Sequence, residues 1–181
     1  MDGGNGNDLL IGGAGVDILY GGEGDDIIET GGGLDKQNFG GNGNDTIIGS
    51  GDIDWMYGER DADNLSGKGG DDALYGGDGN DTMAGGSGVN FLDGGNESDV
   101  FVFIRQASTD SIIGFDTDPL GGQDRLDVSA LGYADFGSML AAGVTIAAGL
   151  TGTVITFGAG APVVTLISTV LSTIDGSDFL F

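Results

Sequence analysis

Apolar triplets alternate with glycine-rich polar stretches through the first part of the chain, and the alternation has a period of nine residues. Eleven units, beginning GGNGNDLLI, GGAGVDILY and GGEGDDIIE, cover Gly3 to Val102, with one extra residue in the fourth unit, TGGGLDKQNF. We number the places in each unit from one to nine. The first six places predict a turn, and places seven to nine predict a very short strand with an inward-facing residue at place eight.

The eighth place is apolar in ten of the eleven units, with Gln37 as the exception. The series runs Leu10, Leu19, Ile28, Gln37, Ile47, Met56, Leu65, Leu74, Met83, Leu92 and Phe101. Because an isolated triplet buries nothing, the units must stack into two parallel layers, with two units per turn of the coil. We therefore predict an all-β fold, a right-handed parallel β-roll over residues 1–102.

The sixth place is acidic in ten of the eleven units, and successive units place it on opposite edges of the roll. The first edge carries Asp8, Asp26, Asp45, Asp63, Asp81 and Asp99, and the second edge carries Asp17, Asp35, Asp54, Asp72 and Asn90. Strands stack at about 4.8 Å, so bare carboxylates would repel at every step. A dication between successive turns would turn this repulsion into bonding, and the gaps allow at most about nine ions.

Composition narrows the chemistry further. The chain has 29 acidic and 5 basic residues among 181, a formal charge of −24, and it has no histidine and no cysteine. Zinc sites with histidine ligands, Ser-His-Asp and Cys-His nucleophiles and disulfides are thereby excluded. The charge disfavours nucleic acid and anionic membranes as partners. No apolar run is long enough for a membrane span, and no N-terminal secretory signal is evident.

Five units match the full turn pattern GGxGxD, which resembles the nonapeptide repeat of RTX calcium-binding proteins. The resemblance implies a β-roll in which Ca²⁺ lies between glycine turns, held by turn carbonyls and by the sixth-place residues. In the matching units it assigns these additional turn residues to the sites: Gly4, Gly6, Gly13, Gly15, Gly22, Gly24, Gly41, Gly43, Gly77 and Gly79.

The middle units depart from the pattern, since Asp52 and Asp61 replace fourth-place glycines and Glu59 and Lys68 replace second-place glycines. We expect the best sites between Asp8 and Asp26, between Asp17 and Asp35, and between Asp81 and Asp99. The next best sites lie between Asp26 and Asp45, between Asp63 and Asp81, and between Asp72 and Asn90. Around Asp54 we expect sites to be missing or altered.

The repeat ends at residue 102, and residues 103–181 form a second region. Strand-like runs occur at Val144 to Ala147, Thr153 to Phe157 and Val163 to Ile167, and Tyr133 to Ala142 predicts a short helix. We expect this region to cap the open end of the roll. It resembles the C-terminal region of secreted serralysin-type RTX proteins, through DVFVF at 99–103, DSIIGFD at 110–116, DRLDVSALG at 124–132, TVITFG at 153–158 and the terminal SDFLF.

That second resemblance implies that the protein is secreted and that a type I secretion machinery recognises its C-terminal residues Asp178, Phe179, Leu180 and Phe181. The catalytic histidines of such proteases are missing, so we expect a non-enzymatic calcium-binding module, with any catalytic domain upstream in the same protein. The repeat begins directly after Asp2, which suggests a fragment of something larger. A glycan- or surface-binding adhesion module, and the non-catalytic repeat part of a secreted hydrolase or epimerase, remain open as alternatives.

Two further features are ambiguous. Trp55, Tyr57, Tyr75 and Phe91 occupy outer strand places and predict an aromatic patch, either for a sugar or for docking of protein. Asp116, Asp118, Asp124 and Asp127 have a spacing like that of an EF-hand loop, with Gly121 at the turn. Pro119 and Leu120 break that pattern, and we favour a solvated loop there.

Overall fold

Two sheets face each other across one core. The computed structural model describes residues 1–33, 36–118, 122–158, 160–169 and 173–181. Within these residues the first sheet has ten strands, in spatial order β1 (Asp2–Asn5), β3 (Ile18–Glu23), β5 (Lys36–Asn42), β7 (Asp54–Arg60), β9 (Ala73–Asp78), β11 (Gly88–Asn96), β13 (Ser108–Ile113), β17 (Val163–Ile167), β16 (Gly152–Thr156) and β15 (Thr145–Ala148). The second has eight, in the order β18 (Phe179–Leu180), β14 (Arg125–Asp127), β12 (Val100–Val102), β10 (Thr82–Ala84), β8 (Asn64–Ser66), β6 (Thr46–Ile48), β4 (Ile27–Glu29) and β2 (Leu9–Ile11).

Successive nonapeptide units alternate between the two sheets, and the repeat strands pair in parallel. Leu10 lies opposite Ile28 in the second sheet, and Met56 lies opposite Leu74 in the first. The partner of each residue is thus the same place of the unit two further along the chain. This register confirms the parallel β-roll with two units per turn.

The core is the eighth-place row predicted from the sequence. Every apolar member of that row is buried, from Leu10 at 2% exposure to Phe101 at 0%. The row continues beyond the repeats through Ile112 and Leu126, which are also fully buried. The core therefore runs without interruption from the roll into the C-terminal region.

The fourth unit differs from the prediction. Gln37 is exposed, and Asn38 fills the core place with 0% exposure, in register between Leu19 and Met56. The extra residue of this unit lies ahead of the strand, because that register keeps Phe39 in line with the neighbouring ninth places, Tyr20 and Tyr57. The same register places Lys36 opposite Asp54, and Asp35 lies outside the described residues.

The strands of the first sheet are longer than the predicted triplets. In β3, pairing extends past the triplet to Gly22 and Glu23, which lie opposite Gly4 and Asn5 of β1. The repeat strands of the second sheet keep three residues each. The first three places of the turns on the first edge are therefore part of the first sheet.

The C-terminal region extends both sheets. β13 and β14 continue the parallel pairing, whereas β15, β16 and β17 form an antiparallel meander. α1 (Phe136–Ala141) begins at Asp135, whose side chain caps the Ser138 N–H, and it buries Met139. The predicted strand runs and the short helix are present, and β13 and β14 pair directly with β11 and β12 of the last coil.

Candidate metal centre

A ladder of aspartates runs along the first edge. The backbone N–H of each sixth-place aspartate donates a hydrogen bond to Oδ1 of the aspartate in the next coil. The five bonds within the repeats measure 2.8 Å (Asp8 to Asp26), 2.8 Å (Asp26 to Asp45), 2.7 Å (Asp45 to Asp63), 2.8 Å (Asp63 to Asp81) and 2.9 Å (Asp81 to Asp99). One carboxylate oxygen of each aspartate from Asp26 to Asp99 is thus fixed by the neighbouring coil.

The second oxygen of these carboxylates is buried, and in the described part of the chain it has no hydrogen-bond partner. This holds for Oδ2 of Asp8, Asp26, Asp45, Asp63, Asp81 and Asp99, and on the second edge for Asp17. Leaving a buried charged oxygen unsatisfied is costly, so each of these positions calls for a cation or a proton.

Backbone oxygen lies beside the inner carboxylate oxygens of Asp8, Asp26, Asp45, Asp63 and Asp81. A Cβ placed on Gly21 would lie 2.3 Å from Asp26 Oδ2 and 2.6 Å from the carbonyl oxygen of Gly40 in the next coil. The same holds at Gly58, with Asp63 Oδ2 at 2.2 Å and the Gly76 carbonyl oxygen at 2.6 Å. Glycine at the first place therefore leaves room in which a carboxylate and a carbonyl oxygen come together.

Burial perturbs the carboxyls of the first edge. It raises the pKa of Asp63 to about 8, and the carboxylates of Asp81 and Asp45 add to this, against the backbone hydrogen bond from Asp45. Burial likewise raises the pKa of Asp99 to about 7 and that of Asp81 to about 6. The ladder without a bound cation is therefore electrostatically strained at neutral pH.

This donor set fits calcium. Among the described residues, no three acidic, histidine or cysteine side chains converge, so backbone carbonyls must supply most ligands of any bound ion. A hard cation that accepts six to eight oxygens in a flexible shell suits such a mixture of carboxylate and carbonyl oxygen. Asp8, Asp26, Asp45, Asp63, Asp81 and Asp99 would supply the charged oxygens of these sites.

The second edge carries the same ladder over Asp54, Asp72 and Asn90, with additional donors at its two ends. Oδ2 of Asp54 accepts from the backbone N–H and the hydroxyl of Ser50, at 2.8 Å and 3.0 Å. Oδ1 of Asp72 accepts from Asp54 N–H at 2.9 Å, and Oδ1 of Asn90 accepts from Asp72 N–H at 3.1 Å. Nδ2 of Asn90 donates to Oδ1 of Asp110 at 2.8 Å. Of the predicted residues of this edge, Asp54, Asp72 and Asn90 are thus joined by direct hydrogen bonds.

Two aspartates continue the ladders into the cap, a role that the sequence did not predict for them. Asp124 accepts from Asp99 N–H at Oδ1 and from Asp116 N–H at Oδ2, both at 2.9 Å. Asp110 accepts from Asn90 and, at 2.7 Å, from the Ser108 hydroxyl. Neither residue belongs to a nonapeptide, so the nine-residue period gave no signal for them.

A second, outer ladder at the fifth place was also missed. Asp25 N–H donates to Asn7 Oδ1 at 3.1 Å, Asn44 N–H to Asp25 Oδ1 at 2.9 Å, and Ala62 N–H to Asn44 Oδ1 at 3.1 Å. These bonds run opposite in direction to those of the sixth place. The frequent Asn and Asp at the fifth place of first-edge units was the available sequence signal.

The aspartates that replace fourth-place glycines in the middle units also join neighbouring coils. Oδ2 of Asp52 accepts from Gly33 N–H at 2.8 Å, and Oδ2 of Asp61 accepts from Gly43 N–H at 3.2 Å. Asp61 keeps the left-handed backbone of the glycine it replaces, with φ of 71°. Its carboxylate therefore offsets part of the strain by bonding to the neighbouring turn.

The outer face of the first sheet carries a stack of aromatic rings. Tyr20, Phe39, Tyr57 and Tyr75 stack in order, with ring centroids 4.9, 4.8 and 4.9 Å apart and nearly parallel planes, and Phe91 follows at a tilt. Of the predicted patch, Tyr57, Tyr75 and Phe91 belong to this stack, and Trp55 lies on β7 at 38% exposure. Because the rings cover each other's faces, they offer mostly edges to a ligand, which favours a packing role over sugar stacking.

The EF-hand-like aspartates do not converge within the described residues. Asp118 N–H donates to Asp116 Oδ1 at 2.8 Å, and Asp127 Oδ1 accepts from Ser129 N–H at 2.9 Å. Asp124 instead accepts from Asp99 N–H and so belongs to the first-edge ladder. Residues 119–121, including Gly121, lie outside the described part of the chain.

Comparison with known proteins identifies the repeat. The family described as the RTX calcium-binding nonapeptide repeat (4 copies) matches residues 2–36, 39–74 and 66–101, which together make up more than half of the chain. The chain belongs to the RTX calcium-binding repeat family. RTX repeats bind calcium. In this RTX chain the turn residues of the repeat form the aspartate ladders and the glycine turns.

A solved structure of an epimerase repeat subunit has the same architecture. The AlgE6R3 subunit of the mannuronan C5-epimerase from Azotobacter vinelandii matches with a TM-score of 0.60 and 30% identity, over 74% of this RTX chain and 81% of that chain. The extracellular lipase LipA from Serratia marcescens matches with a TM-score of 0.46 and 18% identity, over 97% of this chain and 38% of that chain. The sequence matches none of the curated proteins with which it was compared. No helix formed by the described residues has the length and hydrophobicity of a membrane span.

Proposed function

We propose that this RTX chain is a non-catalytic module of a secreted bacterial protein that folds when it binds calcium outside the cell. The observation that carries the proposal is the row of buried carboxylate oxygens without hydrogen-bond partners along the first edge. Cations between the coils would satisfy these oxygens. Since the row exists only when coils stack, the energy of binding becomes energy of folding.

The change of compartment supplies the trigger. Extracellular calcium modules typically bind at roughly 10⁻⁴ to 10⁻³ M, a concentration found outside cells and not in the cytosol. Inside the cell, a chain with charge −24 and 40 glycines would resist collapse and remain competent for export.

The C-terminus supports export of the unfolded chain by a type I secretion machinery. In the folded roll Asp178 is 1% exposed and Phe179 is 5% exposed, and β18 pairs with β14. A machinery that recognises these terminal residues must therefore meet them before the cap forms. The proposed order is export first, calcium second and folding third.

The module would stabilise or carry an upstream domain rather than catalyse a reaction. Its chemistry in the described residues consists of carboxylates engaged in ladders, and its sequence lacks histidine and cysteine. The similarity to an epimerase repeat subunit supports the alternative in which that upstream domain acts on a polysaccharide.

The test is a circular-dichroism titration of the full chain at pH 8. We expect β-structure to appear cooperatively as calcium rises into the millimolar range, to disappear on chelation, and not to appear with magnesium at the same concentration. Equal β-structure in chelated buffer at this pH would refute calcium-triggered folding.

A further inference from the structure

We propose that a cavity between the last repeats and the cap binds a small apolar amino acid. The cavity has a volume of about 240 Å³ and lies at the second edge, beside Gly86 and the segment 102–110. This volume equals that of about eight water molecules in the liquid, which is room for a molecule the size of leucine. The inference goes beyond the proposed function, because it concerns an organic ligand of the folded chain.

Small side chains form the floor of the cavity. Ser66 and Ala84 hold the ninth places of β8 and β10, lie opposite each other and line the cavity, as does Val102 of β12. The strand on the other side of β8 carries Ile48 at the same place, opposite Ser66. The outer face of the second sheet is therefore recessed at Ser66 and Ala84, where a larger side chain would fill the space.

The chain that leaves β12 forms a fixed wall over this floor. Gln106 N–H donates to the Ile104 carbonyl at 2.7 Å and bends the segment, and the Arg105 guanidinium donates to the carbonyl of Leu131 in the cap. Phe103 and Ile104 line the cavity from this wall, and Ile104 is 46% exposed. Apolar side chains from floor and wall thus face an aliphatic ligand group, as in most small-molecule sites.

A buried carboxylate also lines the cavity. Asp110 is 2% exposed, and its two oxygens accept from the Asn90 amide at 2.8 Å and from the Ser108 hydroxyl at 2.7 Å. A carboxylate has about four lone-pair sites, so further donors can bind. Neither of these two partners carries a charge, and burying an ionised carboxylate without a cation is costly. An ammonium group in the cavity would supply that cation.

Lys68 brings a positive charge to the same cavity. It is exposed and lines the cavity, and it is one of only five basic residues in the chain. Its backbone φ is 68°, in the left-handed region that the corresponding Gly86 occupies at 87°. A side chain in this region costs stability, and such strain is often kept where it positions a group for a ligand. The Lys68 ammonium can bind a carboxylate at the mouth of the cavity.

These three features together match the zwitterion of an aliphatic amino acid. The ligand carboxylate would bind Lys68, its ammonium group would bind Asp110, and its side chain would pack on Ala84, Val102 and Ile104. A zwitterion carries no net charge, so the −24 charge of the chain does not repel it as it would repel a simple carboxylic acid.

The experiment is an NMR titration of the full chain with leucine, in calcium buffer in which circular dichroism shows the chain to be folded. We expect saturable shifts at the amides of Ala84, Gly86 and Val102, with a dissociation constant of about 1 mM or tighter. Two analogues test the charges: 4-methylpentanoate lacks the ammonium group, and 3-methylbutylamine lacks the carboxylate. Each should bind at least about tenfold more weakly. Shifts that do not saturate, shifts elsewhere, or equal binding of either analogue would overturn the proposal.

Two variants test the cavity itself. Ser66→Ile fills the floor with the side chain that the neighbouring Ile48 already carries, so the chain should fold and lose leucine binding. The control Asn64→Ile, on the same strand but outside the cavity lining, should bind leucine as the wild type does.

Lys68→Gly keeps the proposal testable if Ser66→Ile does not fold. Glycine relieves the left-handed strain, so the urea midpoint should rise, whereas leucine binding should weaken about tenfold. A purely structural Lys68 would give the same rise without a change in leucine affinity. Unchanged affinity in Lys68→Gly or in folded Ser66→Ile would overturn the assignment of the site.

Discussion

The backbone N–H of Asp99, the last aspartate of the repeats, donates a 2.9 Å hydrogen bond to Oδ1 of Asp124 in the cap. The other oxygen of Asp124 accepts from Asp116 N–H, so the protein itself satisfies this carboxylate. The cap thus offers the last coil a carboxylate that continues the ladder and is held in place by hydrogen bonds, without a metal ion. The adjoining repeats can add to it as calcium becomes available.

Replacing Asp124 should weaken this junction. In Asp124→Asn the side-chain NH₂ group would face either Asp116 N–H or Asp99 N–H. Two hydrogen-bond donors would then point at each other, which costs about 1–3 kcal/mol of folding free energy. Urea unfolding in saturating calcium measures the loss. The exposed Glu29→Gln serves as the control and should change stability little. An unchanged midpoint for Asp124→Asn would show that the junction does not hold the last coil.

Removing the cap should prevent folding of the repeats at the calcium concentration that folds the full chain. Without residues 103–181, Phe101 loses its contact with Phe115, whose ring centroid lies 6.0 Å away, and β11 and β12 lose their partners β13 and β14. The strand edges and apolar surface of the last coil are then exposed, which destabilises it. Circular dichroism of residues 1–102 tests this, and folding at the same calcium concentration would contradict nucleation by the cap.

The fourth unit provides a test of register. Asn38 is fully buried, and its Oδ1 has no hydrogen-bond partner among the described residues, while its Nδ2 donates to the Trp55 carbonyl at 3.3 Å. Asn38→Leu should therefore stabilise the roll by about 1–2 kcal/mol. Gln37→Leu, at an exposed place, should give no gain. The reverse result would restore the register that the sequence alone suggests.

Acid should partly replace calcium. Burial raises the pKa of Asp63 to about 8, of Asp99 to about 7, and of Asp45 to about 6, from 3.8. The folded state thus binds protons more tightly than the unfolded chain. The resulting stabilisation is complete below about pH 4 and is lost as the pH rises through 6 to 8.

In chelated buffer, β-structure should therefore increase as the pH falls from 8 to 5. Circular dichroism follows the change. Asp63→Asn, which removes the carboxyl with the highest of these pKa values, should reduce the pH dependence between 7 and 8. A chelated chain whose spectrum is the same at pH 8 and pH 5 would contradict the assignment of electrostatic strain to the ladder.

Periodicity made much of this architecture predictable. A residue such as Leu65 in the eighth place can be buried only if the units stack, so the two-layer roll follows from the pattern. The insertion in the fourth unit could not be placed in this way. Periodicity alone could not tell whether the extra residue precedes or follows Gln37, and the register shows that pairing of the flanking strands put Asn38 in the core.

The candidate site was predictable only where it repeats. Asp8 to Asp99 follow from the spacing, whereas Asp110 and Asp124 come from the cap and meet the ladder through tertiary structure. The role of Ser50 depends on side-chain direction: Ser50 replaces a glycine in the sequence, and only the structure shows that it donates to Asp54.

Urea unfolding of the full chain across a series of calcium concentrations at pH 8 tests the central claim most directly. Ligand linkage predicts that the free energy of unfolding rises with the logarithm of calcium concentration, and that chelated buffer shows no cooperative transition. An equally cooperative transition with the same midpoint in chelated buffer would contradict the claim that calcium holds the coils together.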